Sequence, residues 1–421
     1  MTLITARRAR RACCAFVPPH VVAHVAQRTG MDTADPSAAQ RTAVVSKLLR
    51  EKRATVKDTA RVIKGLGSLT GLQPGKGDRA IYDDKRTWEF DVERVRGEED
   101  QSTGTVNVDQ AHDHASAIRE YYKAVHDRDS IDGNGMTINV NVNYGVDFLN
   151  AFWDGTRLTL GNGDGRTFVD FAQSPDVMGH EFSHGVVEHT ANLDYQSQSG
   201  ALNESFADVF GTLVEQRLKG EDFDSANWLI GDEIMAPDLY GEALRSMAHP
   251  GTAYDNTVLG KDPQPAHMRD YYAGPDDNQG VHINSGIVNR AFYLTAGELG
   301  TEGAGRIWYA GLQNLWPTAN FADAADVLSA QARILARDGL VARQAAQVVA
   351  VLPRPRRHGH RVPEPRCAAP GPSPRPNGKA SRGHRAAAGS AACAARCRDP
   401  VRTPVRPRRA GGATRRARCA C

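Results

Sequence analysis

The residues that can do chemistry cluster early in the middle third of the chain. His180 and His184 stand four apart in the run His180-Glu181-Phe182-Ser183-His184, and Glu204 follows twenty positions after His184. On a helix, residues four apart share a face, so both imidazoles point the same way. Two imidazoles and a carboxylate are a three-ligand set for catalytic zinc, with a fourth position left for water. Such an ion lowers the pKa of water to about 7, and Glu181, one residue on from His180, is placed to take the proton. The chemistry implied is hydrolysis of a peptide bond.

Two helices must hold these groups. Ser174-Pro175-Asp176 is a start signal, with Ser as N-cap and Pro in the first turn. A second helix, roughly 201–219, carries Leu202, Phe206, Val209, Phe210 and Leu213 at helical spacing and ends at Gly220. Asp208 lies one turn after Glu204, where its carboxylate can accept the other N–H of a zinc-bound imidazole and fix its tautomer. His112 and His114 flank Asp113 and read as solvated residues on a surface helix, not as ligands.

The stretch from His180 to Gly211, with Asp194-Tyr195-Gln196 and Gly200-Ala201-Leu202-Asn203-Glu204-Ser205, resembles the thermolysin family (M4) of zinc metallopeptidases. Asn150-Ala151-Phe152-Trp153, Asn162-Gly163-Asp164-Gly165, Leu244-Arg245-Ser246-Met247 and the run from Asp277 through His282 to Gly286 match further family segments in the right order. The resemblance covers about 79–350. Phe16-Val17-Pro18-Pro19-His20 is similar to the protealysin-like branch, which has a short propeptide.

The resemblance implies an α+β fold of two lobes, β-rich and then α-helical, with the zinc helices at the floor of the cleft between them. It implies one catalytic zinc on His180, His184 and Glu204, and Glu181 as base. Tyr195 and His282 would stabilise the negative charge on the former carbonyl oxygen, with Asp277 orienting and charging His282. Asn150 and Ala151 would pair with substrate main chain, Arg245 would bond the backbone after the scissile bond, and cleavage would fall before large apolar residues. Asp176, Glu215 and Asp232 match calcium ligands. Asn227 and Leu229 stand where the two-calcium version carries acids, which suggests one Ca²⁺ at most.

Domain boundaries follow: a propeptide over 1–55, a β-rich lobe over 56–190, an α-helical lobe over 191–350 and a tail over 351–421. In the propeptide, Pro18-Pro19 should resist helix, whereas 38–53 should form one with Val44, Val45, Leu48 and Leu49 as its apolar face. Residues 79–100 read as a hairpin turning at Asp83-Asp84-Lys85, with its second strand starting at Trp88.

Charge and cysteine both set the tail apart. Residues 353–421 carry 18 Lys and Arg against two acids, while the rest of the chain carries 34 basic and 47 acidic side chains. A tail rich in Arg, Pro and Ala with no apolar periodicity should be disordered. Its abrupt onset looks like translation in a shifted frame, although its charge alone would also attract nucleic acid. Cys13 and Cys14 are the only cysteines before Cys367. Either could offer zinc a thiolate, but a cysteine near a terminus is expected to be exposed and idle.

No run of about 18 apolar residues is present to span a membrane, and the basic start lacks the apolar core of a signal peptide. The expectation is therefore a monomeric zymogen, cytoplasmic or exported without a signal peptide. Its partners would be protein or peptide substrates and its own propeptide, with no specific nucleic acid. The rival reading is a latent homologue that serves as a binding module.

Overall fold

Alternating apolar residues at Ile138, Val140 and Val142 put β4 (Ile138–Val142) in the interior of a six-stranded sheet. The other strands are β1 (Cys14–Ala15), β2 (Arg79–Asp83), β3 (Glu93–Gly97), β5 (Ala151–Trp153) and β6 (Leu158–Leu160), in the order β1-β5-β6-β4-β2-β3. The β2/β4 and β4/β6 pairs are parallel and the others antiparallel. These coordinates are a computed structural model, which describes residues 14–29, 37–49 and 75–345. All of them belong to the unit Met1–His358, and the second unit, Gly359–Cys421, lies outside the described residues. The expected disordered, frame-shifted tail lies outside them too.

Helix α3 (Val106–His126) buries one stripe at helical spacing, Val108, Ala111, Ala115, Ile118, Tyr122 and Val125, and packs on β2 and β4 of the sheet, while Tyr122 turns to Phe182 and Phe210. Beyond the sheet the chain is helical. Helices α5 (Ser197–Lys219), α6 (Asp276–Leu299), α7 (Thr301–Leu312) and α8 (Phe321–Arg337) pack successively on one another. The two-lobed α+β architecture is thus present. Helix α4 (Pro175–Glu188) lies between β5 and α5 and is buried from Pro175 through Val187. Its crossing with α5 is set by two glycines. A Cβ on Gly179 would stand 2.9 Å from Gly211 Cα, and one on Gly211 would stand 2.6 Å from the Asp176 carbonyl oxygen. Without side chains there, the helices come close enough for His180 and Glu204 to meet.

Several local expectations are corrected. Pro18-Pro19 does not prevent a helix: α1 (Pro19–Thr29) starts there, because proline at the first helical position has no hydrogen bond to lose. Helix α2 (38–49) turns a different face inward. Val44 and Leu48 are exposed, while Ala39, Thr42 and Ser46 are buried and Val45 and Leu49 are partly covered. The Thr42 hydroxyl accepts from Leu149 N at 3.0 Å, so a polar contact sets that face. The β2–β3 hairpin has a longer connection than expected. Residues 84–92 leave the ladder so that Trp88 and Phe90 can pack against Tyr144, and β3 starts only at Glu93. Ser174 stands at the N-cap of α4, but its hydroxyl donates to Asp176 instead of capping the helix. His112 is buried and His114 half-buried, not solvated, and His114 Nδ1 meets the Ala172 carbonyl at 3.1 Å.

Candidate active site

Helix α4 presents His180 and His184 on one face, and α5 presents Asn203, Glu204 and Asp208 across from them. His180 Nδ1 lies 2.8 Å from Asp208 Oδ1, and His184 Nδ1 lies 2.8 Å from Asn203 Oδ1. Both partners are acceptors, so both Nδ1 atoms carry the proton and both Nε2 atoms turn a lone pair inward. Those Nε2 atoms are 2.8 Å apart. The Glu204 carboxylate lies 3.6 Å from one and 3.5 Å from the other. Its Oε2 is buried without a hydrogen-bond partner. Two converging lone pairs and an orphaned carboxylate oxygen repel unless a cation lies among them. The donor set therefore fits zinc, with imidazole and carboxylate as ligand types. The motif did not assign Asn203 a role; only the packing of α4 on α5 makes it the partner of His184.

Asp208 serves more than His180. Arg245, on β8 (Arg245–Ser246), donates to it from Nε at 2.9 Å and from Nη2 at 2.8 Å, and Asn289 of α6 donates at 2.9 Å. Burial opposes charge on Asp208, but Arg245 and His180 outweigh it and hold the carboxyl well below the usual range. The short strand β7 (Leu229–Ile230) pairs with β8 and fixes the register of Arg245.

Glu181 is fully buried beside the two histidines. On the opposite wall, the Tyr195 hydroxyl donates to Glu204 and lies 3.2 Å from His282 Nε2. Asp277 holds His282 twice, accepting from its backbone N at 2.7 Å and contacting Nδ1 at 2.6 Å. Burial works against charge on His282, yet Asp277 and Glu204 prevail and push the imidazole up to about 9. The chain reaches this arrangement through four consecutive left-handed residues, Asp277 to Gly280. Three of them are not glycine, a costly conformation of the kind stored at functional sites.

The N-terminal segment fills the cleft. Strand β1 pairs antiparallel with β5, Cys14 opposite Trp153 and Ala15 opposite Phe152. Phe16 N donates to the Ala151 carbonyl at 3.0 Å. Asn150 accepts from Val17 N at 2.8 Å and donates to Val17 O at 3.2 Å. Arg245 Nη1 donates to Phe16 O at 3.1 Å, and His282 Nε2 donates to Ala15 O at 2.9 Å. The Phe16 ring is buried, edge-on to His180 at 5.1 Å and beneath the Arg245 guanidinium at 4.7 Å. Cys14, expected to be exposed, is 4% exposed and lies with His184 and Glu204. The sequence signal was its position two residues before Phe16, and its burial comes only from pairing with β5.

Asp176, Glu215 and Asp232 share one acidic region, but Lys219 already enters it. Its Nζ lies 2.5 Å from Glu215 and 2.7 Å from Glu233. Asp176 accepts from Gly231 N and Val177 N, and Asp232 from Asn227. A donor set holding an ammonium group fits a divalent cation poorly. Burial first, then mutual repulsion, pushes Asp176 up to about 6 and Glu215 up to about 9. Carboxyls whose folded pKa is raised bind more protons folded than unfolded, so their contribution is lost as pH rises through those values. Lys219→Ala should therefore cost about 1–2 kcal/mol at pH 8 and less at pH 5, measured by urea unfolding at both. An equal cost at both values would mean that Lys219 does not neutralise the cluster.

Comparison with known proteins finds relatives along most of the described chain. The family described as thermolysin metallopeptidase, catalytic domain, matches residues 54–188, and its alpha-helical domain matches 191–349. An extracellular metalloprotease of Pectobacterium carotovorum subsp. carotovorum is 46% identical over 241 residues, 56% of this chain and 70% of that protein. Protease PrtS of Photorhabdus sp. (strain Az29) is 48% identical over 236 residues, 55% of this chain and 64% of that one. Among solved structures, the precursor of protealysin, a metalloproteinase from Serratia proteamaculans, superposes with a TM-score of 0.67 at 37% identity. That match covers 80% of this chain and 97% of that one.

Proposed function

This chain belongs to the thermolysin family of metallopeptidases, hydrolases of the zinc metalloendopeptidase class, and on that premise we propose that it is the latent precursor of an endopeptidase cleaving before large apolar residues. The observation that carries this reading is the Ala15-Phe16 segment lying in the cleft as a substrate would. The Phe16 main chain is held by Ala151 and Arg245, that of Val17 by Asn150 and the Ala15 carbonyl by His282, and the Phe16 ring is buried.

His180, His184 and Glu204 would hold zinc, and the bound ion would supply Lewis acidity toward the substrate carbonyl and toward water. Glu181 accepts the proton of the attacking water and returns it to the leaving nitrogen. His282, charged and pinned by Asp277, donates to the oxygen that turns negative, and Tyr195 stands beside it. A preorganised donor of this kind is typically worth about 3 kcal/mol. Asn150 and Ala151 bind an extended peptide by strand addition. Arg245 closes the far side while its charge is met by Asp208. The pocket around Phe16 accepts an apolar side chain next to Gly231, where a Cβ would stand 3.0 Å from the ring.

Residues up to about 55 would be the propeptide, removed by the enzyme itself, and release outside the cell would match the extracellular Pectobacterium relative. Among the described residues no helix is long and apolar enough to cross a membrane. The test is digestion of casein and of Leu- or Phe-containing peptides by the processed protein, with mass spectrometry of the products. Internal cuts before Leu, Phe, Ile or Val, lost on chelation and restored by zinc, are expected. Trimming from peptide ends, or cuts after the apolar residue, would refute the proposed specificity.

A further inference from the structure

We propose that Cys14 is a fourth ligand of the metal in the precursor, its thiolate filling the position that the attacking water needs. This rests on the zinc reading of His180, His184 and Glu204. The Cys14 Sγ, a His184 ring nitrogen and a Glu204 carboxylate oxygen all lie within 4.8 Å of one another, and all three residues are buried. Glu204 Oε2, buried with no hydrogen bond and 3.5 Å from His282 Nε2, is a second and independent observation at this site. Thiolate, imidazole and carboxylate are all accepted zinc ligands, and closed four-ligand sites are the non-catalytic kind.

The placement of Cys14 is enforced from both sides. Cys14 pairs with Trp153 across β1 and β5. The next residues are clamped by His282 on Ala15 O, by Ala151 on Phe16 N and by Asn150 on Val17 N. Tyr195 and Val281 pack with the Cys14 side chain in one buried cluster. On ligation the thiol proton goes to solvent and sulfur supplies the electron pair of the new bond.

The arrangement also answers a question raised by the substrate-like pose. The Ala15–Phe16 bond lies against His282 as a scissile bond would, and a precursor that only imitated a substrate would cut itself there. With Cys14 sulfur in the open position, the bond is presented while the water is excluded. Release of the thiolate then becomes the activating event.

The test is cobalt substitution in the full chain carrying Glu181→Ala, which keeps the N-terminal segment attached. One bound cobalt per chain with a thiolate-to-cobalt charge-transfer band is expected. The band should vanish in the Cys14→Ser version at unchanged cobalt content and survive in a Cys13→Ser version. One cobalt without the band, or a band that survives Cys14→Ser, overturns the proposal and leaves the metal site standing. No cobalt bound in any version overturns the metal site itself. In the chain with Glu181 intact, Cys14→Ser should also produce a cut between Ala15 and Phe16, read by mass spectrometry. An uncut bond there would overturn the idea that sulfur is what protects it.

Discussion

Replacing Glu181 with alanine is expected to lower kcat for peptide hydrolysis by about 10³-fold while leaving one zinc per chain. General-base catalysis contributes typically 10²–10⁴-fold, and the other buried carboxylates near the histidines have ligand or positioning roles. Glu204 belongs to the ligand set, Asp208 is shared by His180, Arg245 and Asn289, and Asp277 holds His282. Glu181 is buried next to His180 and stands outside the ligand set. Its removal leaves His180, His184 and Glu204 intact, so zinc content measured by atomic absorption should not change. Activity within tenfold of the parent would assign the base elsewhere. Loss of zinc together with activity would make Glu181 a support of the site and not its base.

The second large effect is expected at Phe16. Truncating a buried phenylalanine typically costs 3–5 kcal/mol, and this ring also forfeits its contacts with His180 and the Arg245 guanidinium. Phe16→Ala in the full chain should therefore weaken the hold of the N-terminal segment by about 10²- to 10³-fold, at 1.4 kcal/mol per tenfold. The measurement is the rate at which the precursor gains peptide-hydrolysing activity and sheds the segment. Val44→Ala, on the 59%-exposed face of α2, should leave that rate unchanged. Equal latency in the Phe16→Ala and Val44→Ala chains would mean that the segment is held by its main chain alone.

Much of the site was legible because its logic is local. The spacing of His180 and His184 follows from helix geometry, and so does the turn separating Glu204 from Asp208. The apolar stripe from Leu202 to Leu213 required α5 to bury one face, and the alternation of Ile138, Val140 and Val142 required β4 to be half inside. Tyr195, His282, Asp277, Asn150, Ala151 and Arg245 came from resemblance, since a lone tyrosine or histidine has no spacing that marks it.

Other features depend on which surfaces meet. Periodicity assigned Val44 and Leu48 to the inner face of α2, but the contact of Thr42 with Leu149 turned that helix. Resemblance marked Asp176, Glu215 and Asp232 as calcium ligands; Lys219 stands one turn after Glu215 on α5, and the fold adds its contact with Glu233. Cys14 looked idle because nothing in its neighbourhood along the chain says that β1 will pair with β5. By itself the sequence determined which side chains could bind zinc and which helices carry them, because those facts are set within a turn or two of chain. Only the tertiary structure decided what fills the cleft, what neutralises the acidic cluster and what reaches the metal site from the N-terminus. The contacts that fill the cleft and reach the metal site join residues more than a hundred apart, and burial, charge and register settle them only when the whole fold closes.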